Sequence, residues 1–310
     1  MKKLLKKATM TLMCIITAAA LAFAGTIQIR GNIDDYILPK GFDEALEQAD
    51  TKRDEDTYTR IMSLNLLANY EDWGGTDAHR RAKMFFNLLD VYRPDVAAIQ
   101  EMSNQWYCCI MKNLDHYKLI YPISSGALIR MTGIIYNSDT VNLLDYGQYE
   151  YSQGDNARIR RIVWGLFEDR NTSKQYIVSS THFDLVREGN EKAELTTMKV
   201  QTNEHISLMK QLKDDFNCPV FSCGDFNAMD CGGYNNIYYA PEIYETISQN
   251  LTDTKYIAKI KTHGNERSVD KPTFDHIFLL GDEKIKRYSI LSDNVMAQMS
   301  DHYPIFIDAA

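Results

Sequence analysis

Several short apolar segments of this chain end or begin on a polar residue that a buried strand does not normally carry, and this limits the folds open to it. Arg60 to Leu67 holds Asn65 inside an apolar run, Asp95 to Glu101 closes on Gln100-Glu101, and Tyr176 to His182 closes on Thr181-His182. The segment 218–224 runs into Asp225-Phe226-Asn227, 274–280 opens with Phe274-Asp275-His276, and 303–308 follows Ser300-Asp301-His302. Between them the spacing predicts a helix from near Thr76 or Asp77, with Ala78, Ala82, Phe85, Leu89 and Tyr92 at steps of three and four until Pro94 ends it. A second helix is expected near 103–114, and a long one carries Leu195, Met198, Thr202, His205, Met209, Leu212 and Phe216 on one stripe. Further strands are expected at 117–121, 127–136, 141–150 and 159–168. Strands thus come in twos and threes between single helices, which excludes strict βαβ alternation and predicts an α/β protein with mixed sheets.

The N-terminus reads as targeting. MKKLLKK is basic, ATMTLMCIITAAALAFA is apolar, and Ala22-Phe23-Ala24 is a small-x-small cleavage pattern. Residues 1–24 are therefore expected to be a signal peptide or, because the apolar run continues weakly to Ile29, an uncleaved membrane anchor. Either places the body outside the cytoplasm, secreted or anchored. Residues 25–57 are charged and lack a hydrophobic period, so they are read as a linker or an edge-packed extension ahead of a body at 58–310. With 45% hydrophobic and 25% charged residues, a disordered or multi-span chain is excluded. The net charge of −8, more acidic still without the lysines of the leader, argues against strong nonspecific attraction to DNA or to an anionic membrane.

Singly, the polar motifs have bland explanations, since Gly-Asp-Phe-Asn is a common turn and Asp-His pairs occur by chance. In order they are more specific. Met62-x-x-Asn65, Gln100-Glu101, Arg161-x-x-Trp164, Thr181-His182, Gly224-Asp225-Phe226-Asn227, Phe274-Asp275-His276-Ile277 and Ser300-Asp301-His302-Tyr303-Pro304 closely resemble the successive motifs of the endonuclease/exonuclease/phosphatase superfamily. The resemblance covers roughly residues 58 to 310. It implies a four-layer sandwich of two mixed, mainly antiparallel β-sheets flanked by helices, with a phosphohydrolase site at one edge.

Carboxylates and amides are hard oxygen ligands, so Glu101 with Asn65 suits Mg²⁺, or Mn²⁺, better than Zn²⁺. The resemblance implies Glu101 as principal metal ligand, with Asn65 and Asp301 directly or through water. It implies Asp225 as the group that deprotonates the attacking water, and Asn227 and His182 as donors to the phosphate oxygens. His302, oriented by Asp275, would serve the scissile phosphate. Tyr136 stands where such proteins often place a phosphate-contacting tyrosine, with a core role as the equal alternative. Asp184 is read as a cap, His205 and His276 as structural, and His79, His116 and His263 as solvent-exposed. Arg158, Arg160 and Arg161 are expected to pair with carboxylates. The five body cysteines, Cys108, Cys109, Cys218, Cys223 and Cys231, read as small hydrophobes with at most one bridge.

The expected function is hydrolysis of a phosphodiester, in extracellular nucleic acid or a phospholipid headgroup, with no obligate protein partner. A phosphomonoesterase on a small or inositol-type phosphate, and a non-catalytic binding module on the same fold, are the alternatives.

Overall fold

The structure is a computed structural model that describes residues 33–54, 56–68, 78–122, 131–152, 159–187, 189–230 and 239–310. The expected leader at 1–24, Arg158 and Cys231 lie outside the described residues. No described helix is long and apolar enough to cross a membrane. The chain divides into a unit Met1–Asp35, of which a single 3₁₀ turn at Ile33–Asp35 is described, and a unit Tyr36–Ala310.

In chain order the second unit carries α1 (Phe42–Glu47), β1 (Thr59–Asn65), α2 (Ala78–Tyr92), β2 (Val96–Met102), α3 (Asn104–Lys112), β3 (Tyr117–Ile120), β4 (Met131–Asn137) and β5 (Val141–Glu150). There follow β6 (Arg161–Asp169), β7 (Gln175–His182), α4 (Glu191–Phe216), β8 (Val220–Asp225), α5 (Pro241–Ser248), β9 (Thr252–Asp253) and α6 (Thr254–Ile257). The last elements are β10 (Ile260–His263), β11 (Asp275–Leu280), β12 (Ile285–Ile290) and β13 (Ile305–Ala309). One sheet has the order β10-β12-β13-β1-β2-β4-β3, the other β5-β6-β7-β8-β11-β9. Among the described strands only β1–β2, β10–β12 and β7–β8 pair in parallel, so both sheets are mixed and mainly antiparallel.

Strand alternation builds the layers. Val178, Phe221, Cys223, Ile277 and Leu279 of one sheet meet Ile61, Val96, Ala98, Ile134, Ile305 and Ile307 of the other in the central core. Their neighbours Ile177, Val220 and Phe278 face outward onto Met198, Ile206, Met209 and Leu212 of α4 and Ile243 and Ile247 of α5. On the other outer face, Tyr92 of α2 packs its ring 5.5 Å from Phe306 of β13, and Phe85 packs edge-on to Trp106 of α3 at 6.0 Å. Because β1 lies between β2 and β13, its Arg60 meets Asp308 in a fully buried fork, Nε to Oδ1 2.6 Å and Nη2 to Oδ2 2.7 Å.

Residues 36–54 are a packed extension: Phe42 is buried, and the backbone carbonyls of Thr51 and Asp50 accept from Arg60 and Arg287. The strands β10 and β12 carry no clear apolar run; Lys261, Lys286 and Arg287 interrupt it, and the register rather than composition makes them strands.

The parallel pairs bring the carboxyl ends of β1 and β2 beside those of β7 and β8, with Asp275 at the start of β11 opposite Asp225. Gly224 is obligatory there. Its φ is +155°, and a Cβ would stand 2.2 Å from the carbonyl oxygen of Thr181 on the paired strand. Gly224→Ala is expected to cost on the order of 3 kcal/mol through overpacking, seen as a melting temperature lower by roughly 5–10 °C. An unchanged melting curve would show that β7 and β8 have room to part.

Candidate active site

Asn65, at the end of β1, bridges the two sheets. Its Nδ2 donates to Asp225 Oδ2 at 3.0 Å, and its Oδ1 accepts from the Leu67 backbone N–H at 2.9 Å. A buried amide needs such partners, because leaving it unpaired costs about 1–3 kcal/mol. Ser300 fixes the same residue from the other side: its Oγ donates to the Asn65 carbonyl at 2.6 Å and accepts from the His302 backbone N–H at 3.1 Å. The motif containing Ser300 was visible in the sequence, but its role as a tie between β1 and the His302 turn was not.

Glu101 sits on a bulge, where the β2–β4 register shifts between Ile99 and Met102, and its backbone is left-handed at φ 56°. The bulge turns the carboxylate out of the alternation that buries Gln100, so Glu101 keeps a 15% exposed side chain. Its Oε2 accepts from the Ala68 N–H at 2.9 Å, and its Oε1 lies 4.0 Å from His182 Nε2. Gln100 points inward, donating from Nε2 to Ser180 Oγ of the other sheet at 3.0 Å.

Asp225 is the centre of the group. Oδ2 lies 3.4 Å from His182 Nε2 and 3.8 Å from His302 Nε2, and Oδ1 accepts from the Asn227 N–H at 2.9 Å. Burial pushes its carboxyl up to about 6; the Asp275 charge adds to the rise, while His302 and the hydrogen bonds from Asn227 and Asn65 oppose it. His302 Nδ1 meets Asp275 Oδ2 at 2.7 Å. Burial disfavours the imidazolium, but the Asp275 and Asp225 carboxylates outweigh it and hold His302 well above the ordinary histidine range. The ring therefore carries a proton on Nε2, 3.8 Å from Asp225 Oδ2.

Asn227 takes a left-handed backbone, φ 49°, and donates from Nδ2 to the Phe183 carbonyl at 3.0 Å. Asp301 is exposed, its Oδ1 3.4 Å from Ser300 Oγ. Tyr136 does not join the group. It pairs with Val96, at the end of β2 remote from Glu101, five residues or about 16 Å away at strand spacing, and its ring packs on Phe167. The sequence places it at a strand end; the antiparallel register makes that the wrong end.

Asp184 does more than cap a loop. It accepts from Arg160 Nε at 3.1 Å and Gln201 Nε2 at 3.2 Å, tying the start of β6 to α4. Arg161 pairs with Glu150 at 2.8 Å. His276 is buried between Asp253 Oδ2 and the Ala228 carbonyl, both at 3.0 Å, and two acceptors require a doubly protonated ring; burial opposes this, and the Asp253 bond overcomes it. His205 bridges Tyr151 OH and Ser222 Oγ in the core, each at 2.8 Å. His79 and His116 are half-buried, the first stacked on Tyr36 and the second tilted against Tyr117, and His263 is exposed. Cys108, Cys109, Cys218 and Cys223 are free thiols.

The donors fit a divalent cation. Asp225, Asp275 and His302 gather with their polar atoms within 4.8 Å of one another, and Glu101 is joined to them through His182; with the His302 ring protonated, the donors open to a metal are the carboxylate oxygens. Asp275 Oδ1 is buried with no hydrogen-bond partner among the described residues. The carboxylates of Glu101, Asp225 and Asp275 face two imidazoles, the Asp301 charge acts on His302, and among the described residues no Lys or Arg pairs with any of the four. Such an excess of negative charge around hard oxygen donors is what Mg²⁺ or Mn²⁺ neutralises.

No protein-family model matches the sequence, and no curated protein matches it. Solved structures do. An endonuclease/exonuclease/phosphatase from Bacteroides vulgatus is 21% identical with a TM-score of 0.67, the match covering 81% of this chain and 98% of that one. A mannosyl-6-phosphatase of Bacteroides thetaiotaomicron is 20% identical with a TM-score of 0.67, covering 81% and 99%. The catalytic domain of human Nocturnin, with a bound sulfate, is 15% identical with a TM-score of 0.58, covering 81% and 93%. At these identities the likeness is one of architecture: this chain has the endonuclease/exonuclease/phosphatase fold.

Proposed function

We propose that the chain is an exported, divalent-metal-dependent hydrolase of phosphate esters, with a phosphodiester as substrate. The observation that carries the reading is the meeting of Glu101, Asn65, His182, Asp225 and Asp275-bound His302 at one edge of the sandwich. Export rests on the sequence of residues 1–24. Glu101 would be the main ligand of Mg²⁺ or Mn²⁺, with Asn65 and Asp301 directly or through water. When bound, the ion supplies charge neutralisation on the phosphoryl oxygens.

The chain's own residues account for the proton transfers. Asp225 accepts a proton from the water whose oxygen attacks phosphorus; a carboxyl near 6 is suited to that at neutral pH. As the bond from phosphorus to the leaving oxygen breaks, that oxygen takes the proton on His302 Nε2. Asp225 ends protonated and His302 neutral, and exchange with solvent resets both. His182 and the second N–H of the Asn227 amide donate to the nonbridging oxygens.

A diester brings one negative charge to the site and a monoester two, and the carboxylates already in excess favour the diester. The acidic chain, net −8 over its full length, favours a small or lipid-borne diester over tightly held DNA. Hydrolysis of a sugar phosphomonoester is the second reading, favoured by the likeness to a mannosyl-6-phosphatase.

Chelation is expected to abolish turnover of bis(p-nitrophenyl) phosphate, and Mg²⁺ or Mn²⁺ to restore it. Glu101→Ala should lower the rate at least ~10²-fold, no less than the loss of a residue that merely orients a ligand can cost. Metal-independent turnover, or a wild-type rate in that variant, would overturn the assignment. Faster hydrolysis of mannose 6-phosphate than of any diester would select the second reading.

A further inference from the structure

We infer that Arg81 is a positioning residue for Glu101 and Asn65, acting on both through two consecutive peptide groups. Arg81, on α2, is wholly buried. Its Nη1 donates to the Leu66 carbonyl at 2.5 Å and its Nη2 to the Leu67 carbonyl at 3.0 Å. These peptide units carry the N–H groups that hold the site. The Leu66–Leu67 peptide takes the guanidinium on its oxygen and donates its N–H to Asn65 Oδ1; the Leu67–Ala68 peptide does the same and donates to Glu101 Oε2. A cation on the carbonyl side polarises each peptide and strengthens the bond its N–H makes. Arg81 thus reaches the Glu101 carboxylate without touching it.

Two further contacts fix the arrangement. Trp106 Nε1 donates to the Leu67 carbonyl at 3.2 Å while its ring lies under the Arg81 guanidinium at 5.2 Å. Arg81 Nη1 also donates to the Met299 carbonyl at 3.2 Å, one residue before the Ser300 that grips Asn65. One side chain therefore sets the β1 end, the Glu101 carboxylate and the His302 turn relative to one another. Leu67 itself is left-handed, φ 54°, the conformation that aims successive carbonyls at one guanidinium.

The inference rests on Glu101 as a metal-holding carboxylate, and its test separates the two. Mn²⁺ binding to the full chain is measured calorimetrically for wild type, Arg81→Lys, Glu101→Gln and the double variant. Lysine keeps the charge but cannot span both carbonyls, so affinity should fall roughly 10-fold, Glu101→Gln should cost more, and in the Glu101→Gln background Arg81→Lys should cost clearly less than it does alone, only its share through Asn65 remaining. In the metal-free protein, the Leu67 and Ala68 amide protons should move upfield in Arg81→Lys. Wild-type affinity in Arg81→Lys, or additive losses in the double variant, would overturn the inference. Wild-type affinity in Glu101→Gln would instead overturn the metal reading, and the amide shifts then decide Arg81 alone. Should Arg81→Lys fail to fold, Trp106→Phe removes one donor to the Leu67 carbonyl; it should shift the Ala68 amide in the same direction, and an unmoved amide would overturn the inference.

Discussion

Asp225→Asn is expected to reduce kcat by about 10³-fold while leaving the metal-free protein as stable as wild type, or more so, at pH 8. The first half follows from the role: an amide has no lone pair basic enough to take a proton from water, and disabling a general base costs about 10²–10⁴-fold. The second half follows from burial. With the folded carboxyl raised to about 6, the protonated form is the one that the fold prefers. A group raised in this way contributes stability below its unfolded value near 4 and loses it as pH rises through 6, so at pH 8 the ionised Asp225 is a burden of about 3 kcal/mol. Asparagine removes that burden but cannot accept from both Asn65 and Asn227, which returns about 1–3 kcal/mol. Steady-state kinetics and thermal melts at pH 8 check the pair of outcomes. Rate and stability falling together would mean that Asp225 is a structural anchor and not the base.

Asp275→Asn and His302→Ala should each lower the rate by about 10²-fold, and the double variant should be little slower than either. The 2.7 Å bond makes the two one unit: Asp275 fixes the Nδ1–H tautomer and its charge helps keep the ring protonated. Without that charge the imidazole loses its proton more easily and can no longer donate Nε2–H across the working pH range. Ring-carbon NMR of Asp275→Asn should accordingly show His302 titrating at lower pH than in wild type. Multiplying losses in the double variant would separate the two residues and sink the coupling.

The residues of this site could be read in the sequence to the extent that they stand next to apolar strands. Asn65, Glu101, His182, Asp225 and His302 interrupt or close runs that hydrophobicity makes conspicuous, and the fold brings those ends together. Tyr136 also closes such a run, yet belongs elsewhere, because pairing direction is a property of two distant segments and neither one encodes it alone. Arg81 is invisible for a different reason: on an amphipathic helix an arginine reads as a solvent-facing position, and its burial depends on Trp106, Leu66 and Met299 from three other segments. The same holds for Asp184, whose partners Arg160 and Gln201 lie on either side of it in the chain.

The position of β13 has a consequence for how the chain folds. One of the two neighbours of β1 is Ile305–Ala309, and the buried Arg60–Asp308 pair closes a separation of 248 residues. Until β13 is in place, Arg60 lacks this counter-ion and β1 has an open edge, so the sheet cannot close. Folding of this body therefore waits on its most distant contact, which makes it slow for its size and leaves the unpaired edge open to misassociation in the meantime.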